Sequence, residues 1–412
     1  MKMPRMVINR SPGPPENERG AADKDFQTGL VVSISFGHAT NDTYTSFLAP
    51  LLPALIAKLA LSNTQAGLLA FMQSSPSLLQ PFIGHLSDRV SLRYLIILSP
   101  AVVATMMSLL GVAPSYAVLV LLVMVAGLSS ASLHAVAPAI AGRLSGRKLG
   151  RGMGIWMVGG TLGFTVGPVI VVTAVKLLGL EGIPWLMIGG WLASAILLLR
   201  LRHLPPPPSM IGEERSWRTA LHALRPLLVP LVGIIVMRAL MVAATWIFLP
   251  TFLTERGASF SLAGVSVSIA AGAGIIGSLL GGSMSDRWGR RRVLFISTLL
   301  APLLLFILLQ VEGWSLVPVL IGLGIVMPPA QVIMMAIVQE NCPENRALAN
   351  SLYLSLAFMS ESTGAVVLGA LGDLFGLHLA YAASAVILLL SLPLVFLLPQ
   401  EAPVSVDGGG PR

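Results

Sequence analysis

The sequence predicts an all-α polytopic membrane protein, with twelve transmembrane helices in two six-helix halves. Three observations carry that expectation. Of the 412 residues, 55% are hydrophobic and only 11% are charged, against roughly 25% charged in a soluble domain. Twelve apolar stretches are long enough to cross a bilayer, which takes about 20 helical residues. One short charged motif also occurs twice, 198 residues apart: Gly84-His85-Leu86-Ser87-Asp88-Arg89 and Gly282-Ser283-Met284-Ser285-Asp286-Arg287.

Taken in order, the chain opens with a polar tail (1–28) holding Pro12, Pro14 and Pro15 and no apolar core, so it reads as disordered and not as a cleavable signal. Segments 1 to 6 follow at about 29–56, 66–88, 93–113, 117–143, 152–178 and 183–203, making the N-terminal half (29–203). A polar linker (204–225) opens with Pro205-Pro206-Pro207-Pro208, a run that favours a semi-rigid extended spacer. Beyond it Trp217, Leu221 and Leu224 recur at helical spacing, as in a short helix on the membrane surface or an ordinary solvated one. Segments 7 to 12 lie at about 226–254, 262–285, 291–311, 315–338, 347–374 and 377–398, making the C-terminal half (226–398), and a tail (399–412) closes the chain.

Lysine and arginine set the orientation. With both termini on one side, the loops and tails of that side hold 22 of the 26 basic residues. The opposite loops hold three, Lys58, Lys176 and Arg256, and Arg238 lies inside a span. Such a bias places both termini and the linker in the cytoplasm of a plasma (inner) membrane protein. The net charge of +8 therefore marks orientation and not nucleic acid. Cys342 is the single cysteine, which excludes an intramolecular disulfide and a thiolate metal cage. No metal site is expected.

The repeated motif now has a physical setting. In each half it joins segment 2 to 3, or 8 to 9, at the cytoplasmic face. Gly84 and Gly282 would let neighbouring helices approach closely. Asp88 and Asp286 would pair with arginines or with a facing helix N-terminus. The pattern Gly282-x-x-x-Asp286-Arg287-x-Gly289-Arg290-Arg291 resembles the signature of the major facilitator superfamily. The first copy carries Asp88 and Arg89 but has Ser91 for the glycine and Leu92 for a basic residue. Gly159, Gly160, Gly163, Gly167 and Pro168 in segment 5 are similar to the family's antiporter motif, with Ile170 and Val171 in place of its closing glycine pair; close helix packing is the alternative reading. A narrower resemblance, to the fosmidomycin-resistance branch, rests on His38-Ala39-Thr40-Asn41-Asp42, Leu79 to Gly84, His134, Val338-Gln339-Glu340 and Gly369 to Asp373. Ala135 and Glu361 depart from that branch. The resemblance implies the major facilitator fold and a secondary transporter. Its implied activity is proton-coupled efflux of a small organic molecule, an anionic or amphiphilic drug. The rivals are proton-symport uptake of an organic acid and, remotely, a transport-fold sensor.

Charges at mid-bilayer cost at least ~2.5–3.5 kcal/mol, so each needs a reason. Ser35, His38, Asp42 and Thr45 share one face of segment 1 and are expected to face a cavity. His38 and Asp42, one turn apart, form either a proton relay or a buried structural hydrogen bond. His134 in segment 4 titrates in a useful range. Arg238 in segment 7 stays charged, so it either binds an anionic group or neutralises a carboxylate, with Glu361 of segment 11 the candidate. Glu361 shares a face with Ala365, Gly369 and Gly372, a small-residue seam. Gln73, Ser77, Gln80 and Gln331 would orient substrate or pack helices. No phosphate loop or catalytic constellation is present, and Gly272 to Gly277 matches a dinucleotide pattern only inside a span. The expectation is therefore a non-enzyme without a cofactor, driven by a proton gradient. Its partners are the lipid bilayer, a substrate and protons, and it works as a monomer.

Overall fold

Proline decides where the predicted segments bend. The computed structural model describes residues 26–87, 92–204, 217–341 and 346–398, and every regular element among them is helical. Ten helical stretches are long and apolar enough to span a membrane, and segments 1 and 2 complete the twelve as broken helices. Segment 1 runs Thr28–Thr45 and resumes as Leu48–Leu59. Segment 7 runs Trp217–Trp246 and resumes as Leu249–Glu255. Proline lacks an N–H and its ring crowds the carbonyl four residues back. Pro50 and Pro250 place that fault at Ser46 and Trp246, where the two helices stop. The duplication seen in the hairpins is thus repeated in the kinks.

Segment 2 changes to a 3₁₀ turn at Ser75–Leu79 around Pro76, and segment 10 breaks at Met327 before Pro328 and Pro329. A break frees backbone carbonyls that hydrocarbon cannot solvate. Gln73 Nε2 donates to the Thr45 carbonyl at 2.8 Å, so this expected substrate-orienting group satisfies the kink of segment 1. The expected surface helix at Trp217 is instead continuous with segment 7, which runs through Pro226 and Pro230 without a break.

Burial divides into three clusters. One is shared by both halves and joins Phe47, Leu51 and Leu55 to Phe248, Phe252 and Tyr381 at the end away from the hairpins. The hairpin end has two separate clusters, one around Ile34, Leu133 and Trp156 and one around Ile235, Ile333 and Tyr353. The halves are fused at one end and parted at the other. A small cleft lies where segments 2 and 11 diverge, lined by Ser74, Ser75, Ser77, Leu78, Ser355, Phe358, Met359 and Ser362.

The closed end has a specific lock. Asp373, at the end of segment 11, accepts hydrogen bonds from the backbone N–H groups of Asn63 and Thr64 at 2.7 and 2.8 Å, and from Thr64 Oγ1 at 2.5 Å. A carboxylate thereby satisfies the first donors of the Asn63–Ser74 helix of the opposite half. Glycines permit the approach: a Cβ at Gly67 would lie 2.3 Å from the Ala365 carbonyl oxygen, and one at Gly369 would lie 2.3 Å from that of Asn63. In a Cys342→Ser background, Thr64→Cys with Asp373→Cys is expected to form a disulfide under mild oxidation. Loss of maleimide labelling reports it; full labelling after oxidation would show that this end is not closed.

The second hairpin is also held. Gly289 takes φ +93°, and Arg290 pairs with Asp286 at 2.5 Å and with Glu340 of segment 10 at 3.0 Å. Arg287 is exposed. Asp88 and Arg89 lie outside the described residues. One expectation fails here: a Cβ at Gly84 or Gly282 would meet nothing nearer than 4.0 or 3.9 Å, ordinary contact. Tight packing in segment 8 falls instead on its neighbours, where a Cβ at Gly281 would lie 2.4 Å from Pro329 Cβ and one at Gly277 2.3 Å from the Ile325 carbonyl oxygen.

Candidate functional site

Segment 5 is a continuous helix, Leu149–Leu178, and its glycines press it onto segment 1. A Cβ at Gly163 would lie 2.1 Å from the Ala39 carbonyl oxygen; Gly159 abuts Ser35, and Gly167 abuts Thr43 and Ser46. Pro168 sits within this helix without ending it. The motif works here as helix packing inside one half. In consequence Ser35 and His38 on the polar face of segment 1 are buried against segments 4 and 5, while Asp42 and Thr45 on the same face stay partly exposed. Ser35 Oγ donates to the Ile155 carbonyl at 2.6 Å.

Within that interface three predicted residues converge. His38 Nε2 lies 3.1 Å from Asp42 Oδ2 and 3.1 Å from His134 Nε2, and His134 Nε2 lies 3.6 Å from Asp42 Oδ1. The far ring nitrogens are committed. His38 Nδ1 is 2.9 Å from the Trp156 carbonyl and His134 Nδ1 is 2.9 Å from the Ser130 carbonyl. A carbonyl only accepts, so both Nδ1 atoms carry hydrogen and both Nε2 atoms present lone pairs when neutral. Two lone pairs and a carboxylate therefore face one point. One added proton turns that mutual repulsion into hydrogen bonds. These donors lie within 4.8 Å of one another, the one such His/Asp trio among the described residues.

Sequence reasoning assigned no role to two of the groups that fix this cluster, Trp156 and Asn41. The Trp156 ring stacks on His38 with centroids 3.7 Å apart and planes 14° from parallel. Asn41 is fully buried; its Nδ2 donates to Asp42 Oδ1 and Ser130 Oγ, both at 2.9 Å, and its Oδ1 accepts from Ser99 Oγ at 3.0 Å. Gly160 leaves the needed room, since its Cβ would lie 2.4 Å from His38 Cε1. Asn41 could have been flagged as a buried amide beside Asp42 in segment 1. Trp156 carries no such signal, because an apolar span accommodates it without reason.

The C-terminal half holds a separate cluster. Arg238 Nη1 lies 3.5 Å from Glu361 Oε1, and its Nη2 donates to the Met327 carbonyl at the segment 10 break, at 3.1 Å. Arg238 is 7% exposed, so the pairing predicted as one of two readings is present. Tyr353 Oη donates to the backbone carbonyl of Gln331. Ala365 and Gly369, on the face of Glu361, form the seam against segment 2 described above.

Two helical halves, fused at one end, with ionisable clusters buried at mid-span, fit the architecture of a membrane transporter. The sequence profile of the Major Facilitator Superfamily matches residues 34–272 and 231–411, and the chain belongs to that superfamily. Its sequence is 24% identical to the fosmidomycin resistance protein of Escherichia coli, covering 95% of this chain and 98% of that one. It is 28% identical to the MFS-type transporter YfnC of Bacillus subtilis, over 90% and 93% of the two chains. Among solved structures, a bacterial homologue of the human lysosomal transporter Spinster, in an inward-facing unoccupied conformation, superposes with a TM-score of 0.76. It is 16% identical and covers 91% of this chain and 97% of that one. The D-xylose-proton symporter gives 0.68 at 15% identity, over 91% and 99%.

Proposed function

We propose that this protein is an inner-membrane secondary transporter that exports a small amphiphilic organic molecule in exchange for protons, by alternating access. The observation that carries the proton coupling is the convergence of three lone-pair groups, on His38, Asp42 and His134, at a point enclosed by segments 1, 4 and 5. A proton shared at that point would let these acceptors hydrogen-bond to one another. His134 is the exit, because its side chain is a third exposed while that of His38 is buried.

Efflux is supported by similarity to the Escherichia coli fosmidomycin resistance protein, and by a 27% match over part of the chain to the multidrug efflux pump Tap of Mycolicibacterium fortuitum. The small cleft between the halves presents serine hydroxyls beside Leu78, Phe358 and Met359. Arg238 is held on two sides before substrate arrives, so its contact with an anionic group requires Glu361 to release it. With the hairpins cytoplasmic, the end at which the halves part would face the cytoplasm.

The test is accumulation. Cells expressing the protein are expected to accumulate less of a substrate drug, and a protonophore is expected to restore accumulation. Growth on, and uptake of, an organic acid with no change in drug accumulation would instead favour the symport reading.

A further inference from the structure

We propose that the His38–Asp42–His134 cluster is also a binding site for a divalent transition metal of the zinc class. The inference stands on donor geometry and is independent of the direction of transport. Tetrahedral zinc with bonds of roughly 2.0–2.1 Å places its ligand atoms about 3.3 Å apart. His38 Nε2 lies 3.1 Å from His134 Nε2 and 3.1 Å from Asp42 Oδ2, and His134 Nε2 lies 3.6 Å from Asp42 Oδ1, so two imidazole nitrogens and one carboxylate surround a common point at close to that spacing. Two imidazoles and one carboxylate are the donor types that borderline metals prefer.

The surroundings resemble those of a ligand set and not of a chance contact. A metal-ligating histidine holds its second ring N–H on a carbonyl or carboxylate, which aims the free nitrogen. Both histidines meet that condition, through the Trp156 and Ser130 carbonyls. The carboxylate is fixed in turn by Asn41. His38 and Asp42 are four residues apart on one helix, and segment 4 supplies the third ligand. Asp42 and His134 side chains are 17% and 32% exposed, leaving the fourth corner open to water or to an anionic ligand. A metal seated there would displace the shared proton.

The experiment uses purified full-length protein without a polyhistidine tag, stripped with chelator and titrated with Co²⁺. Wild type is expected to show the intense visible bands of tetrahedral cobalt, bleached by Zn²⁺. Asp42→Asn and His134→Gln are each expected to weaken binding by at least ~10-fold, whereas His203→Ala and His378→Ala leave it unchanged. Variant folding is checked by gel filtration. X-ray absorption of the wild-type zinc form adds a reading that needs no variant, with two imidazoles expected. Absence of tetrahedral bands in wild type, bands that survive both variants, or fewer than two imidazoles would each overturn the site. None of these results bears on proton coupling, which is read from gradient dependence alone.

Discussion

Asp42→Asn is expected to abolish the dependence of transport on the pH gradient while leaving the fold intact. Asparagine is nearly isosteric with aspartate and keeps an oxygen for the Asn41 amide, now 2.9 Å from Asp42 Oδ1. What disappears is the negative charge that makes a proton worth holding between His38 and His134. The measurement is substrate efflux from inside-out vesicles or proteoliposomes with and without an imposed gradient. Exchange of substrate down its own gradient should persist, since no part of the seam between the halves is altered. A variant that still pumps against a substrate gradient at wild-type rate would remove Asp42 from the coupling. His134→Gln, which keeps hydrogen-bonding capacity but cannot carry charge, should give the same loss in milder form.

The second large effect concerns Arg238 and Glu361. Arg238→Met leaves Glu361 without its partner at mid-membrane, and breaking one side of a buried ion pair costs about 3–5 kcal/mol. Replacing both members with apolar residues of similar size is often neutral or stabilising. Arg238→Met is therefore expected to lower thermal stability strongly in detergent, and Arg238→Met/Glu361→Leu is expected to recover most of it. Export should be lost in both. A double variant that is stable and still exports would reduce the pair to a structural element. One that is stable and inactive would establish a functional part for it. The cycle is needed because the two readings of Arg238 predict the same result for the single variant.

Much of this was legible in the chain because hydrocarbon is an unforgiving solvent. Apolar length, the basic bias of the loops and the twin hairpin motifs identify twelve spans and two halves, and each ionisable residue at mid-span stands out against its surroundings. His38, Asp42, His134, Arg238 and Glu361 were all visible in that way. Glu361 was one of two readings for the partner of Arg238, an anionic substrate group being the other, and only the packed helices show the pair.

The sequence alone did not decide how these charges group or what surrounds them. Periodicity shows which residues share a face of segment 1 but not which helix covers it. The glycines of segment 5 could equally have met a lipid, a cavity or a neighbour. Only the tertiary structure brings His134 to 3.1 Å from His38, 96 positions away in the chain. It alone lays Trp156 on the His38 ring, and shows Asp373 locking the end of the opposite half. The reason is physical. Membrane insertion is governed by each segment's own hydrophobicity, which a sequence displays. Helix association in lipid depends on matched small-residue surfaces and on polar partners from distant segments, and those meet only once the helices have packed.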